Sequence, residues 1–330
     1  MSNPTSIAII GAGISGMTCA HALQGAGLSV TLFEKSRGPG GRLTTRRRDT
    51  ATYDHGAQYL TAESKAFTDE VTRWEAAGVV ARWDGRFATI IHGELRPDLS
   101  ARTRWVGTPK MSSLGRHLSQ GLSIRLRTRI TSLQGGHGAW TLLDDSADVH
   151  GPFDIVLLSA PGPQAEALLP DSSSLQGLAR GLLYAPCWAV MADYTEPALS
   201  AWDGLKVEDG PLSWAARDSS KPGRPPGERW VLHGSPAWSH RHLEETAAFV
   251  IEALTDALSD LGAPKPMRAQ AHRWRYALSV PATGDRAVYA PTEGLGLMGD
   301  GLVHPRVESA WASGVACAEQ VLSALSMCTK

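Results

Sequence analysis

The residues best suited to chemistry stand near the N-terminus. Gly11-Ala12-Gly13-Ile14-Ser15-Gly16 spells G-x-G-x-x-G, and Glu34 follows at about the separation expected of a ribose-binding acid. Each position has a physical task. Gly11 makes a tight turn, Gly13 lets the backbone approach a pyrophosphate, and Gly16 lets a helix pack close to a strand. The N-terminus of that helix offers unpaired N–H groups and partial positive charge to the phosphates. The Glu34 carboxylate can accept both hydroxyls of an adenosine ribose, and it disfavours a 2′-phosphate there by charge repulsion.

A second glycine turn follows at once, in Ser36-Arg37-Gly38-Pro39-Gly40-Gly41-Arg42. An arginine at that place can meet a pyrophosphate with two parallel hydrogen bonds. The element resembles the Gly-Gly-Arg turn of flavoproteins of the glutathione-reductase and amine-oxidase types, which bind FAD. Near the C-terminus an apolar run ends in Gly299-Asp300, and Arg306-Val307-Glu308 opens another helix. In such flavoproteins the aspartate accepts hydrogen bonds from the ribityl chain, and the helix N-terminus faces the flavin edge where negative charge develops. The backbone N–H of Val307 is expected at that edge.

These residues need elements to hold them. Ser6 to Ile10 reads as a buried parallel strand, Met17 to Ala26 as a helix closed by Gly27, and Leu28 to Phe33 as the second strand. Residues 63 to 77 have helical spacing at Phe67, Val71 and Trp74. Short β-like runs occupy 79 to 106, a helix is expected over Met111 to Leu118, and a β-meander over 123 to 143. Phe153 to Ser159 is another buried strand. The serine-rich stretch 171 to 176 is a candidate domain crossing, and Lys221 to Gly227 (KPGRPPG) reads as a surface loop. An apolar stretch covers Leu183 to Tyr194, and Trp230 to His233 reads as a strand. Phe249, Val250, Leu254, Leu258 and Leu261 mark an amphipathic helix over 243 to 261. Leu295 to Met298 is a strand and Val307 to Leu325 a helix.

The expected fold class is α/β, with a Rossmann-type FAD-binding domain and a mostly antiparallel-sheet substrate domain, both discontinuous. The first gathers residues 1–60, 105–170 and 280–330; the second takes 61–104 and 171–279. The active site is expected between the two, where small-molecule sites tend to form.

Composition narrows the partners. The chain has 330 residues, a formal charge of -1 and 42% hydrophobic residues, ordinary values for a globular protein with no polyanionic partner. No apolar run approaches membrane-span length, and no secretory signal pattern opens the chain. The four cysteines (19, 187, 317 and 328) show neither disulfide nor metal-ligand spacing, so no metal site is expected and the compartment reads as the cytoplasm.

Seven segments, in order along nearly the whole chain, resemble the bacterial renalases: EKSRGPGGRLTTRR (34–47), DHGAQYLTA (54–62), RWVGTPKMSSL (104–114), PLSWAARDSSKPGR (211–224), WVLHGSPAWS (230–239), HRWRYA (272–277) and GD…RVESAWASG (299–314). The resemblance implies FAD held by Gly11, Gly13, Gly16, Glu34, Arg42, Asp300 and Val307, with the backbone of Ile130 at the adenine. Ala12, Ile14, Ser15, Lys35, Gly41, Gln58, Ala160, Gly299 and Arg306 complete the expected cofactor surroundings. It also implies an activity: oxidation of the 2- and 6-dihydro isomers of NAD(P) to NAD(P)+, with O2 reduced to H2O2. The stretch Gly301-Leu302-Val303-His304-Pro305 departs from the renalase pattern, where a Trp- or Cys-containing stretch is common, and this leaves the isomer preference open.

Hydride loss from a dihydropyridine leaves an aromatic pyridinium, so no general base is required and the cofactor carries the hard step. A flat aromatic slot is therefore expected rather than a triad. Trp105, Trp188, Trp214, Trp230, Trp238 and Trp274 are stacking candidates with Tyr276, although aromatic residues in strands are usually core. Gln58 and Tyr59 are candidates to line the flavin, and His233 to touch substrate. Lys110 and Arg46 to Arg48 could meet substrate phosphates or simply face solvent. No cysteine precedes Gly299-Asp300, so the FAD is expected to be non-covalent. An amine oxidase and a flavin-sensing module remain the alternatives.

Overall fold

The computed structural model describes residues 4–49, 51–280 and 284–328. The expected cofactor segments therefore begin and end on residues outside the described ones. The chain divides into two compact units. The first comprises residues 1–41, 115–184 and 279–330, the second 42–114 and 185–278.

The first unit is built on a six-stranded sheet in the order Ala287–Ala290, Leu295–Met298, Ile155–Leu158, Ser6–Ile10, Ser29–Glu34, Ser123–Leu126. All neighbours run parallel except the first pair. The central strands are apolar on both faces, as a covered parallel sheet requires. Helix Ile14–Gly25 crosses from the first strand to the second, and the long helix Val307–Cys328 packs on it. Their approach is very close: a Cβ on Gly314 would fall on the carbonyl oxygen of Ser15. A three-stranded antiparallel sheet joins Ile130–Gln134, Trp140–Asp144 and Val149–Phe153. The meander expected over 123–143 is thus displaced. Ser123–Leu126 instead pairs with Ser29–Glu34 at the sheet edge, because its register Thr31↔Ser123 continues the parallel order.

The second unit centres on a seven-stranded sheet: Arg268–Ser279, Tyr184–Tyr194, Glu228–Gly234, Leu212–Arg217, Gly204–Val207, Phe87–Ile91, Glu94–Pro97. Only Gly204–Val207 with Phe87–Ile91 pairs in parallel among the registers seen. Helix Ala247–Ser259 covers one face with Val250, Leu254 and Leu258, and Thr246 caps it by accepting from Phe249 N at 3.3 Å. Phe249 itself stays at the rim, 39% exposed, stacked on Trp238. Helix Lys65–Ala76 buries Phe67, Val71 and Trp74 as its spacing predicted, with Ser64 as its cap.

Several boundaries move. Residues 42–60 and 105–114, expected with the cofactor unit, fold with the second. Their polar groups explain this: Asp54 accepts from Met111 N at 3.0 Å, Leu60 bridges to Trp105, and Tyr53 packs with Met191 and Val231. Conversely, 171–184 belongs to the first unit. Ser173 and Ser174 are fixed by the Glu293 carboxylate at 2.5 and 2.9 Å, and Leu175 and Ala179 enter the core beside Val156 and Leu158. The serine stretch is a clasp, and the crossing lies at 184–185. The expected surface loop at 221–227 also differs. Lys221 and the guanidinium of Arg224 are buried, because carboxylates deep in the unit claim them.

Replacing Gly314 by alanine should lower unfolding stability by about 1–3 kcal/mol, since the helix pair has no room for a methyl group. Urea unfolding of the two proteins measures this; an unchanged midpoint would mean the helices can part freely.

Candidate functional site

In the first unit the chain leaves its first strand through Gly11, whose φ of 107° and close approach to Ser159 O both exclude a side chain. A Cβ on Gly16 would land on the Gly11 carbonyl oxygen. Around Gly13, by contrast, a Cβ would meet nothing within 4 Å. That open backbone at a helix N-terminus is the surface a phosphate needs. The second glycine turn lies against the first. Gly40 N donates to Ala12 O at 2.8 Å, and a Cβ on Gly41 would stand 3.4 Å from the Gly13 Cα.

Glu34 ties the two turns together. Its Oε2 accepts from Ala12 N at 3.0 Å and its Oε1 from Ser36 N at 2.8 Å. The carboxylate is buried, and each oxygen keeps a lone pair for a ribose hydroxyl. Ser15 Oγ and Thr18 Oγ1 are buried with no hydrogen-bond partner among the described residues. Unanswered hydroxyls beside an open glycine backbone fit a bound dinucleotide. Ile14 is buried at the start of the helix, and Ala160 follows Ser159, the residue just past strand Ile155–Leu158 that backs Gly11. Ile130 begins the small antiparallel sheet, two residues beyond Thr128, whose N–H donates to Glu34 O at 3.0 Å. Lys35 is exposed and bonds Gln164 at 2.8 Å.

At the other end of this unit Gly299 takes a φ of 140° and donates its N–H to Ser313 Oγ at 2.7 Å. Asp300 is buried, and its carbonyl accepts from Ser279 Oγ at 3.1 Å. Arg306 is exposed and Val307 opens the long helix. The residues thus fit a flavin dinucleotide, with glycine turns for the phosphates and the Asp300–Val307 segment for the ring system.

The second unit holds a different chemistry. Arg42, directly after the second glycine turn, donates to Ala277 O at 2.8 Å. Asp54 is wholly buried and accepts from Thr45 Oγ1 at 2.6 Å and Met111 N at 3.0 Å, while Arg224 pairs with its other oxygen. Lys221 bonds Asp218 at 2.7 Å and Gln58 Oε1 at 3.2 Å, and stands 3.8 Å from Asp54. Burial pushes the Asp54 carboxyl up, but Lys221, Arg224 and its donors outweigh that and hold it below the usual range. Asp218 goes the other way: burial, aided by the Asp54 charge, raises it. Gln58 therefore belongs to this charge network, and its amide also donates to the carbonyls of Asp54 and Gly56.

Beside the network lies a cluster of imidazoles. The His55 carbonyl accepts from Trp274 Nε1 at 3.0 Å and pairs with His233 Nε2 at 3.2 Å. The His55 ring stacks on Trp274 at 5.3 Å and meets His272 edge-on at 4.8 Å. Arg46 reaches His272 Nδ1 at 3.0 Å. Strand alternation puts His272, Trp274 and Tyr276 on one face of Arg268–Ser279. The other face carries Arg273 and Arg275, paired with Glu244. Burial, with His272 and Arg46 nearby, drops the His55 pKa to about 3. Burial takes His233 to about 4, with Lys221 adding to the shift, and burial plus Arg46 takes His272 to about 4. All three are neutral at physiological pH.

Tyr59 packs on Trp214 at 5.5 Å and under the Arg104 guanidinium at 5.4 Å. Trp188, Trp230 and Trp238 are core residues rather than stacking surfaces. Arg48 is committed to Asp193 at 2.5 Å. His55, His272 and Lys221 were missed from sequence, although the segments DHGAQYLTA, HRWRYA and PLSWAARDSSKPGR contain them. Among the described residues no group of three or more His, Cys, Asp or Glu could hold a metal, and no helix is long and apolar enough to cross a membrane.

A glycine-turn cradle on a parallel sheet, in a chain with a second, mostly antiparallel-sheet unit, is the architecture of a dinucleotide-binding protein. Comparison with known proteins narrows the class. Residues 9–73 match the NAD(P)-binding Rossmann-like domain, and residues 92–322, more than half of the chain, match the flavin containing amine oxidoreductases. The chain belongs to the flavin-containing amine oxidoreductase family, whose members carry a flavin cofactor. An L-amino-acid oxidase of Daboia russelii is 54% identical over 46 residues, which is 14% of this chain and 9% of the relative. One of Notechis scutatus scutatus is 47% identical over 49 residues, or 15% and 10%. The matched stretch thus spans about a tenth of these curated relatives. The fold is also that of an Exiguobacterium sp. 255-15 chain described as a protoporphyrinogen oxidase (TM-score 0.77, 17% identity, 97% and 99% of the two chains). Wild-type putrescine oxidase bound to putrescine is similar as well (TM-score 0.72, 14% identity, 97% and 99%).

Two outcomes are expected. Lys221→Met should cost about 3–5 kcal/mol in urea unfolding, because Asp54 and Asp218 then share a buried site short of one cation; a loss below 1 kcal/mol would show the charges to be solvated. For the histidines the folded pKa lies below the ordinary 6.5, so the unfolded chain takes up protons first. Stability should be complete above about pH 6.5, fall as the pH drops towards 3, where His55 is the last of the three to charge, and then stop responding to these groups. Denaturant midpoints across that window measure it, and a flat profile between those limits would contradict the buried neutral cluster.

Proposed function

We propose that the chain oxidises the 2- and 6-dihydro isomers of NAD(P) to NAD(P)+, with O2 reduced to H2O2, on dissociable FAD in the cytoplasm. The segments that resemble bacterial renalases support this reading, among them the stretches bearing His55, His233, His272 and Trp274. The observation that carries it is electrostatic. Burial does most to lower the pKa values of the imidazole cluster, neighbouring imidazoles add to it at His55, and the charged groups that add further are cations, Arg46 and Lys221. A cationic ammonium substrate is disfavoured there, whereas a dinucleotide bearing phosphates is attracted.

Bound flavin supplies a two-electron acceptor that can pass the pair on to O2. The chain's own part is binding and orientation. A dihydropyridine that gives up hydride becomes an aromatic cation, and no proton has to be removed from carbon. Three imidazoles held neutral beside an indole are suited to a planar, uncharged ring. Gly11, Gly13, Gly16, Glu34, Arg42, Asp300 and Val307 are the proposed FAD contacts. Met298 occupies the position before Gly299, so no thiol there offers a covalent link.

Amine oxidation is the second reading, favoured by the family match and by the amino-acid and putrescine oxidases among similar proteins. Aerobic incubation with aged NADH, which contains the dihydro isomers, tests the choice. Conversion of the isomers to NAD+ with one H2O2 per product, and no oxygen uptake with an amine panel, is the expected result. Turnover of an amine with the isomers untouched would replace the proposal by its alternative.

A further inference from the structure

We infer that the free edge of strand Ser123–Leu126 docks an extended acidic segment of a partner protein, which adds to the six-stranded sheet of the first unit as a further strand. Two stretches of this unit, 35–41 and 115–143, hold six Lys and Arg residues and no Asp or Glu. All six, Lys35, Arg37, Arg116, Arg125, Arg127 and Arg129, are exposed. The fold gathers four of them at one sheet edge. Strand Ser123–Leu126 runs parallel to Ser29–Glu34 with Leu126 opposite Glu34, and just past both strands Arg127 N donates to Ser36 O at 3.0 Å. Lys35 and Arg37 thus follow one strand where Arg125 and Arg127 end the next. None of the five arginines forms an ion pair with a described residue. Asp144 is held by His150 at 2.9 Å, and Asp145 meets Arg129 through a backbone hydrogen bond at 2.9 Å. The whole chain carries a formal charge of -1, so acids outnumber bases over the rest of it.

An edge strand presents backbone N–H and C=O groups that pair readily with another strand. No described strand lies on the outer side of Ser123–Leu126. Its residues are exposed apart from the half-buried Ile124, and Leu126 keeps 39% of its surface. Like charge bars a second copy of this edge from pairing with it. An acidic strand is drawn by the same charge. The planar forks of Arg125 and Arg127 suit carboxylates, which they can meet with two parallel hydrogen bonds each. The partner's backbone then answers the edge groups while its acidic side chains answer the arginines, as in recognition by strand addition. A phosphate-bearing surface fits less well. Phosphate brings acceptors but no donors for the edge carbonyls, and the acids over the rest of the chain repel an extended polyanion. So short a strand makes a small contact, and the docking is therefore transient.

The probe is a short fluorescent peptide of alternating Glu and Thr, titrated with the flavin-loaded protein at low salt and followed by anisotropy. Binding is expected, and it should weaken as salt screens the exposed charges. Two further peptides separate charge from strand pairing. One carries methyl groups on alternate backbone nitrogens, which keeps every charge but removes strand hydrogen bonds; it should bind roughly tenfold more weakly. The other has Lys in place of Glu and should not bind. In the protein, Arg125→Glu with Arg127→Glu should cost roughly tenfold for the acidic peptide, while flavin content and melting temperature stay as in the wild type. Equal binding of the methylated peptide, or undiminished binding by the double variant, would overturn the proposal. So would an acidic peptide that does not bind at low salt. Capture of phosphatidylserine vesicles in place of the peptide would assign this face to a membrane and overturn it as well.

Discussion

A carboxylate shut away from water must be met by donors or cations, and each unit is organised round one. In the first it is Glu34, whose two oxygens take the N–H groups of Ala12 and Ser36. The two glycine turns are thereby held in one arrangement, and the remaining lone pairs can accept from the ribose hydroxyls of the proposed dinucleotide. In the second it is Asp54, which gathers Thr45, Met111 and the pair Lys221 and Arg224 from three separate segments. An isolated charge in that position would cost several kcal/mol. The segments can therefore leave the arrangement only together, which is why 42–60 and 105–114 fold with a unit that their sequence neighbours do not join.

The same network sets the electrostatics of the histidine cluster. Lys221 acts on His233, Arg46 on His55 and His272, and all three rings stay uncharged. Neutral rings keep one bare nitrogen each, so hydrogen-bond direction is conserved rather than lost to protonation. A flavoprotein that removes hydride from a ring already set to become aromatic gains nothing from a strong base. Under the proposed function it gains from a surface that orients a planar ring and tolerates phosphate, and the imidazole cluster with its neighbouring cations is the proposed source of that surface.

Much of the first unit was legible in the sequence because its signals are local. The strand, the glycine turn, the helix and Glu34 lie within one short stretch, and steric demand on Gly11 and Gly16 leaves no freedom in their reading. The helix from Val307 was equally clear. The second unit was less legible because its partners are distant. Arg46 and His272 are 226 positions apart, Arg224 and Asp54 are 170 apart, and Lys221 and Gln58 are 163 apart. No composition rule connects such residues. A segment of Lys, Arg, Pro and Gly reads as solvent-exposed until the carboxylates it must neutralise are known. The tryptophans carried no distinguishing signal: Trp188 and Trp230, in strands, serve the core as aromatic residues there usually do, and so does Trp238 in a short helix.

The most direct measurement is an anaerobic titration of the yellow protein, with the visible flavin band as readout. Aged NADH, which contains the dihydro isomers, should bleach the band within the mixing time, fresh NADH should not, and air should restore the colour with release of H2O2. A band untouched by aged NADH but bleached by an amine would contradict dihydronicotinamide oxidation and leave only the flavoprotein fold and its family.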